Sequence, residues 1–179
     1  GYDRTRKQLR AARRCPAIEA LLDVVTLPGR VPGDAEWLVT NRLGSFAMGC
    51  ADGVPRRKYH GWLVVRDPGF GESLHALAAI GETVRYQGQT HLLFALPHGE
   101  SIEPRGFEEI ESFEALPIPT WVYRVGDARV SKTLVLDAES DTVTARYVFS
   151  GLTGPAELWL QPFITFRPRI HRTPEGAVM

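Results

Sequence analysis

Three runs near the end of the chain alternate between a mostly apolar and a mostly polar face. They span residues 120–125, 128–136 and 142–149. One face of these runs carries Trp121, Tyr123, Val125, Val130, Lys132, Leu134, Leu136, Val143, Ala145, Tyr147 and Phe149. Period-two alternation with one polar face is typical of antiparallel sheet and is incompatible with an amphipathic helix. The chain must therefore bury one side of several strands.

Short apolar runs continue this pattern towards the N terminus, separated by Gly, Pro and Asp: residues 36–40, 45–50, 59–66, 75–86 and 90–96. The turn Gly126–Ala128 predicts a hairpin, and Ser150–Ala156 is expected to close another. About ten short strands with little helix predict a mainly β fold, a large antiparallel β-sandwich. The residues expected to point inward include Val64, Tyr123, Leu134, Tyr147 and Leu158.

The first part of the chain has a different character. Residues 1–30 are predicted to form a short helical N-terminal arm and linker, because good helix formers precede a stretch rich in proline and glycine. Residues 31–179 are predicted to form the sandwich domain. Because the chain opens on Gly1 rather than Met, we expect it to be a piece of a longer protein.

Composition excludes several classes of protein. The net charge is zero and no run of about eighteen apolar residues is present, so we expect no membrane partner. Six Lys and Arg residues fall in Arg4–Arg14. Without interleaved aromatic residues, this segment favours a solvated helical arm over a nucleic-acid contact. Cys15 and Cys50 show no spacing pattern, which favours reduced thiols and a cytoplasmic location.

The chemistry-bearing residues show no motif for a metal or an organic cofactor. The five histidines have no metal-binding spacing, and the cysteines do not complement them. We therefore predict no metal and no cofactor. The run Glu108–Glu114 contains four carboxylates. Glu109 and Glu111, expected on one face of a strand, could in principle act as a glycosidase pair, but solvent exposure is the simpler interpretation.

Two polar segments remain as candidate binding residues. The segment Arg56–Gly61 places cations, Tyr59 and His60 directly before an apolar run, and Asn41 begins a glycine-containing turn. Taken one at a time, these side chains are explained as a turn former, amphipathic core residues and solvated strand guards.

In order, however, the segments resemble the N-terminal domain of bacterial and archaeal glycogen debranching enzymes. The similarity runs from Glu36 to about His171 and is carried by EWLVTNRLGSFAMG, RRKYHGWLVV, ESFEALPIPTWVYRV and DTVTARYVF. Three positions depart from the family pattern. Arg42 and Ser45 replace glycines, and Lys58 replaces the second arginine of R-R-Y-H-G, which loses bidentate hydrogen-bonding geometry.

The resemblance implies a β-sandwich that precedes an (α/α)6 catalytic barrel in an amylo-α-1,6-glucosidase acting on glycogen. The catalytic carboxylates would belong to that barrel, which is expected C-terminal to this chain and in the same polypeptide. We therefore assign no catalytic residue here and expect the chain to be inactive alone. Its expected partners are the barrel and, in the cleft between the domains, an α-glucan.

The candidate contacts with the barrel or the substrate are Asn41, Arg57, Lys58, Tyr59 and His60. We expect them to lie together at one end of the sandwich, with His60 as the polar contact and Tyr59 as a packing anchor. Loss of an exposed His60 side chain should cost about 1 kcal/mol of stability or less.

Two other functions stay open. An independent carbohydrate-binding module would show a flat exposed row among its tryptophans, which are Trp37, Trp62, Trp121 and Trp159. A small stand-alone enzyme would show an acid pair in a deep pocket, and a protein-interaction domain would show a large exposed apolar patch.

Overall fold

The structure is a computed structural model that describes residues 33, 35–67, 69 and 71–169. The predicted helical arm, Cys15 and His171 lie outside these residues. The described chain forms β1 (Glu36–Thr40), β2 (Phe46–Cys50), β3 (Gly61–Arg66), β4 (Ser73–Tyr86), β5 (Gln89–Leu92), β6 (Ala95–His98), β7 (Ser101–Arg105), a 3-10 turn (Gly106–Glu109), β8 (Ile110–Glu114), β9 (Thr120–Val125), β10 (Ala128–Leu136), β11 (Val143–Ser150) and β12 (Ala156–Pro168).

The strands form two main antiparallel sheets and a small one. The first sheet has the order β1-β2-β3-β4-β12, with β5 paired to the second half of β4. The second sheet has the order β11-β10-β9-β8, and within the described residues β6 and β7 form a separate two-stranded sheet. The predicted hairpin at Gly126 joins β9 to β10, and this glycine takes the left-handed φ of +62° that the tight turn requires. The second predicted hairpin is wrong, because residues 151–155 lead from β11 in the second sheet to β12 in the first.

The two main sheets pack face to face, which confirms the predicted β-sandwich. Trp37 of β1 meets Trp121 of β9 edge to face, with ring centroids 5.4 Å apart. Their indole N–H groups donate to the backbone carbonyls of Cys50 and Ala51, so neither polar group is left without a partner in the core. Of the residues predicted to point inward, three are fully buried and two are partly buried against the core: Val64, Tyr123, Leu134, then Tyr147 and Leu158.

A lysine lies inside this core. The alternation of β10 directs Lys132 inward, where its side chain is buried. Its Nζ is 3.0 Å from Oε1 of Glu82 on β4 and lies about 5 Å from the ring centroids of three aromatic residues, Trp62, Trp121 and Tyr123. The Tyr147 hydroxyl also donates to Glu82 Oε1, at 3.0 Å. A buried ion pair therefore links the two sheets across the middle of the sandwich.

Burial lowers the pKa of the Lys132 ammonium, but the Glu82 carboxylate and the Tyr123 side chain together outweigh this effect, so the pKa is raised. Burial likewise raises the pKa of Tyr123 to about 12. Lys132 therefore stays charged and Tyr123 neutral at physiological pH.

In the described part of the chain, no helix is long and apolar enough to cross a membrane.

Candidate functional site

The loop that joins β2 to β3, residues 51–60, forms one end of the sandwich and carries most of the predicted site residues. We call it the rim loop. The antiparallel pairing of β1 with β2 sets Glu36 opposite Cys50, directly beside the base of this loop. At the end of the loop, Gly61 begins β3. A Cβ at that position would lie 2.6 Å from His75 Nε2, so only glycine allows the two strands to approach this closely.

His60 is the last residue of the rim loop and the one around which its polar contacts are arranged. It is only 4% exposed. Its Nδ1 accepts a hydrogen bond from the backbone N–H of Arg56 (3.3 Å) and faces the Cys50 thiol (3.8 Å). Because Nδ1 is an acceptor, Nε2 carries the proton and donates to Glu36 Oε1 at 3.1 Å. Burial lowers the pKa of His60, although the Glu36 carboxylate opposes the shift. The imidazole is therefore neutral near pH 7 and fixes the loop to β1.

The other three predicted loop residues surround His60. The exposed guanidinium of Arg57 also bonds Glu36 Oε1, and this hydrogen bond lowers the pKa of the Glu36 carboxyl. Tyr59 is half-buried and meets the His60 ring edge to face at 5.9 Å. The Lys58 side chain is exposed, and its backbone carbonyl accepts a hydrogen bond from Arg167 (2.8 Å). The structure thus brings Arg57, Lys58, Tyr59 and His60 together.

Asn41 is not part of this cluster, so the prediction that all five residues share one end was wrong. Asn41 follows β1, whereas the rim loop adjoins the start of that strand, so the length of β1 separates them. Its Oδ1 accepts from the backbone N–H groups of Leu43 and Ser45, and its Nδ2 donates to Ser140 and Asp141 between β10 and β11. Asn41 thus stabilises a turn, as its residue type alone suggested.

The two departures from the family pattern in this turn are accommodated without strain. Among the described residues of the turn, the left-handed conformation falls on Gly44 (φ +86°) and not on Arg42. Ser45 is buried, and its hydroxyl accepts a hydrogen bond from the backbone N–H of Arg66 at 2.9 Å. Arg42 therefore does not have to adopt a positive φ.

A polar cleft of about 600 Å3 opens beside the rim loop, and sequence reasoning missed it. It is lined by Gly33, Asp52, Arg56, Ile102, Arg105, Phe107, Glu108 and Ile110. Asp52 binds the Arg56 guanidinium through both carboxylate oxygens, at 2.7 and 2.6 Å. Arg105 pairs with Glu108 at 2.9 Å and lies over the Phe107 ring. The i,i+4 spacing of Asp52 and Arg56 was the available signal, but the other lining residues, Gly33 and those between 102 and 110, are distant from this pair in the chain.

Glu36, Cys50 and His60 bring three potential metal-ligand atoms within 4.8 Å of one another. The hydrogen bonds of these groups compete with a cation. Both ring nitrogens of His60 are already engaged, Nδ1 by the Arg56 N–H and Nε2 by Glu36, so an ion would have to displace one of these hydrogen bonds. The guanidinium of Arg57 also occupies Glu36 and would repel a cation. Burial raises the pKa of the Cys50 thiol, which disfavours the thiolate that a metal requires.

Glu109 and Glu111, the two residues considered as a carboxylate pair, are each bound by a basic side chain. Glu109 ends the 3-10 turn and Glu111 lies in β8, so they do not share the face of one strand as predicted. Glu109 bonds His91 at 3.1 Å. Hydrogen bonds from Arg129 and Arg124 hold the pKa of Glu111 at about 2. A carboxyl with so low a pKa is a poor general acid at neutral pH.

Stability should depend on pH through two buried histidines. His75 donates from Nε2 to the backbone carbonyl of His60 at 2.7 Å, and burial lowers the pKa of both rings from the ordinary 6.5. The unfolded chain therefore binds more protons between that value and the folded-state pKa values. We expect full stability above pH 6.5 and progressive loss as the pH falls through the folded-state pKa values.

Urea unfolding midpoints between pH 5.5 and 8 measure this loss. A variant with His60→Gln and His75→Asn should give a flatter profile than the parent, whereas His98→Gln, at an exposed position of β6, should leave the profile unchanged. An unaltered slope in the double variant would contradict the assignment.

The fold defines a class, that of antiparallel β-sandwich domains with a structured polar rim. A comparison with protein families then narrows the class: the family described as glycogen debranching enzyme N terminal matches residues 35–178. The chain belongs to the family of glycogen debranching enzyme N-terminal domains, which confirms the resemblance stated above. Comparisons with curated proteins and with solved structures give no match.

Proposed function

We propose that this domain is a non-catalytic part of a cytoplasmic amylo-α-1,6-glucosidase and that its rim loop packs against the catalytic domain of the same polypeptide. The adjoining polar cleft would border the path of the glucan. The observation that supports this proposal best is the set of hydrogen bonds that orders the rim loop. Glu36 bonds both Arg57 and His60, which holds the loop in one conformation while leaving Arg57 and Lys58 exposed.

A preordered, exposed cationic loop is suited to docking, because little conformational entropy remains to be lost on association. Catalysis by the domain itself is disfavoured by the state of its acidic residues. Glu111 is bound by two arginines, and Glu109 by His91. Either glycosidase mechanism needs two carboxyl groups, one protonated, at a defined separation across the scissile bond.

The test is made in the enzyme that contains the catalytic domain, with glucose release from a branched dextrin as the measurement. We expect the double variant Arg57→Ala, Lys58→Ala to lower kcat/KM by about tenfold, because these side chains contribute to docking or to substrate positioning. The matched control is Arg42→Ala, Arg146→Ala, which removes the same charge from exposed positions elsewhere on the sandwich.

The unfolding midpoint of each variant separates a functional loss from a loss of folding, since exposed positions should change stability by about 0.5 kcal/mol or less. Equal activity in the rim-loop variant and the control would refute a role for the rim loop.

A further inference from the structure

The outer face of the first sheet, which the second sheet does not cover, carries an aromatic surface. The register of β5, β4 and β12 sets Leu92, Thr83 and Trp159 side by side in one row. The neighbouring row consists of Thr90, Arg85 and Glu157. Alternation directs both rows away from the core, because the intervening residue Val84 is fully buried.

Trp159 differs from the other three tryptophans, which are all buried. Its side chain is 58% exposed. The indole N–H donates to Glu157 Oε2 at 3.1 Å, and the guanidinium carbon of Arg85 lies 5.2 Å from the centre of the ring. These contacts fix the orientation of the indole and cover one of its faces, which leaves the other face open to solvent.

Phenylalanine rings extend this surface along the sheet. Phe94 and Phe163 lie across Gly81 of β4, with their centroids 6.0 Å apart. A Cβ at Gly81 would lie 3.1 Å from the Phe163 ring, so the glycine allows the two rings to approach across the strand. We call the surface formed by Leu92, Phe94, Trp159 and Phe163 the outer platform.

A polar cleft of about 530 Å3 borders the outer platform at the β4–β5 turn. Its lining includes Arg85, Gln87, Gln89, Thr90 and Glu157. Arg85 and Glu157 also hold Trp159, so the cleft and the platform are continuous. The two charges are 3.9 Å apart and offset each other, and the other polar side chains in the lining carry amides and hydroxyls. Such groups both donate to and accept from the hydroxyl groups of a neutral ligand.

We infer that the outer platform and this cleft bind a neutral glucan chain, with the open face of Trp159 stacked on the apolar face of a glucosyl ring. An aromatic face beside uncharged donors and acceptors matches a sugar, which is apolar across its ring and polar around its edge. An anionic chain is disfavoured because Glu157 already neutralises Arg85. The platform shares no residue with the rim loop, so this function is independent of the proposed docking.

The test uses the full chain and measures retardation in native gels that contain glycogen, together with maltoheptaose titrations followed by tryptophan fluorescence. We expect Trp159→Ala to weaken binding by about tenfold or more. The matched control is Leu160→Ala, which truncates an exposed apolar side chain on the other face of the same strand and should leave binding unchanged. The rim-loop double variant should also bind normally, so failure of one proposal does not imply failure of the other.

Acrylamide quenching provides a second readout, because among the described residues Trp159 alone is an exposed tryptophan. Quenching of the free chain should be efficient and should fall when maltoheptaose binds. Three results would overturn the inference: no retardation by glycogen, equal retardation of parent and Trp159→Ala, or retention by heparin in place of glycogen. A Trp159 already protected in the free chain would show that protein covers the platform and would overturn it too.

Discussion

Replacing Lys132 with alanine is expected to lower the free energy of unfolding by about 3–5 kcal/mol. The ammonium lies in the centre of the sandwich, 3.0 Å from Glu82 Oε1 and surrounded by three aromatic rings. Its loss would leave the Glu82 carboxylate buried with the Tyr147 hydroxyl as its remaining donor among the described residues. A buried charge without a counterion is far more costly than a lost surface contact.

The design that isolates this effect replaces both partners. A variant with Lys132→Met and Glu82→Leu removes the two charges together, and apolar side chains of similar volume often match or exceed a buried ion pair in stability. We therefore expect the double variant to recover most of the loss. Urea unfolding followed by tryptophan fluorescence gives the free energies.

Arg124→Ala is the matched surface control. Arg124 occupies an exposed position of β9 and pairs with the partly buried Glu111, which Arg129 also binds, so its loss should cost about 1 kcal/mol or less. Two results would contradict this role of the buried pair. In the first, Lys132→Ala loses no more unfolding free energy than Arg124→Ala. In the second, the double variant loses as much as the sum of the losses for Lys132→Met and Glu82→Leu measured singly.

Lys132 also shows how far the sequence alone can predict this fold. Period two placed it on the inward face together with Tyr123 and Leu134, and all three are buried. The pattern could not show why a charge is tolerated there. Its partner Glu82 lies 50 residues away in the other sheet, and that proximity depends on how the sheets pack. Alternation determines the face of a residue, but it does not identify the residue across the core.

The same limit applies to the candidate site. Arg57, Lys58, Tyr59 and His60 are adjacent in the chain, so their proximity follows from the sequence. The position of Glu36 beside them depends on the β1–β2 register, and so does the separation of Asn41. The run 59–66 was expected to form one strand, but Tyr59 and His60 lie in the loop before β3, which begins at Gly61. The sequence therefore predicted neither the proximity of Glu36 to the rim loop nor the separation of Asn41 from it, because both depend on strand pairing between residues distant in the chain.

His60→Ala is the second change for which a large effect is expected, about 2–3 kcal/mol of unfolding free energy. The cost of about 1 kcal/mol expected from the sequence assumed an exposed side chain, and that premise was wrong. Alanine would leave a cavity next to Cys50 and would remove the acceptor for the Arg56 N–H and the donor to Glu36. Unsatisfied buried groups and an unfilled cavity each add to the cost.

The measurement combines stability with activity, because burial does not exclude a role in docking. Urea unfolding of the chain compares His60→Ala with His98→Ala, an exposed histidine whose loss should cost about 0.5 kcal/mol or less. Activity is then measured in the enzyme with its catalytic domain, at a temperature where both variants are folded. If His60 acts by holding the rim loop, the folded variant should lose activity, because it lacks the hydrogen bond to Glu36 that orders the loop. Full activity in a folded but destabilised His60→Ala enzyme would assign this histidine to the core alone.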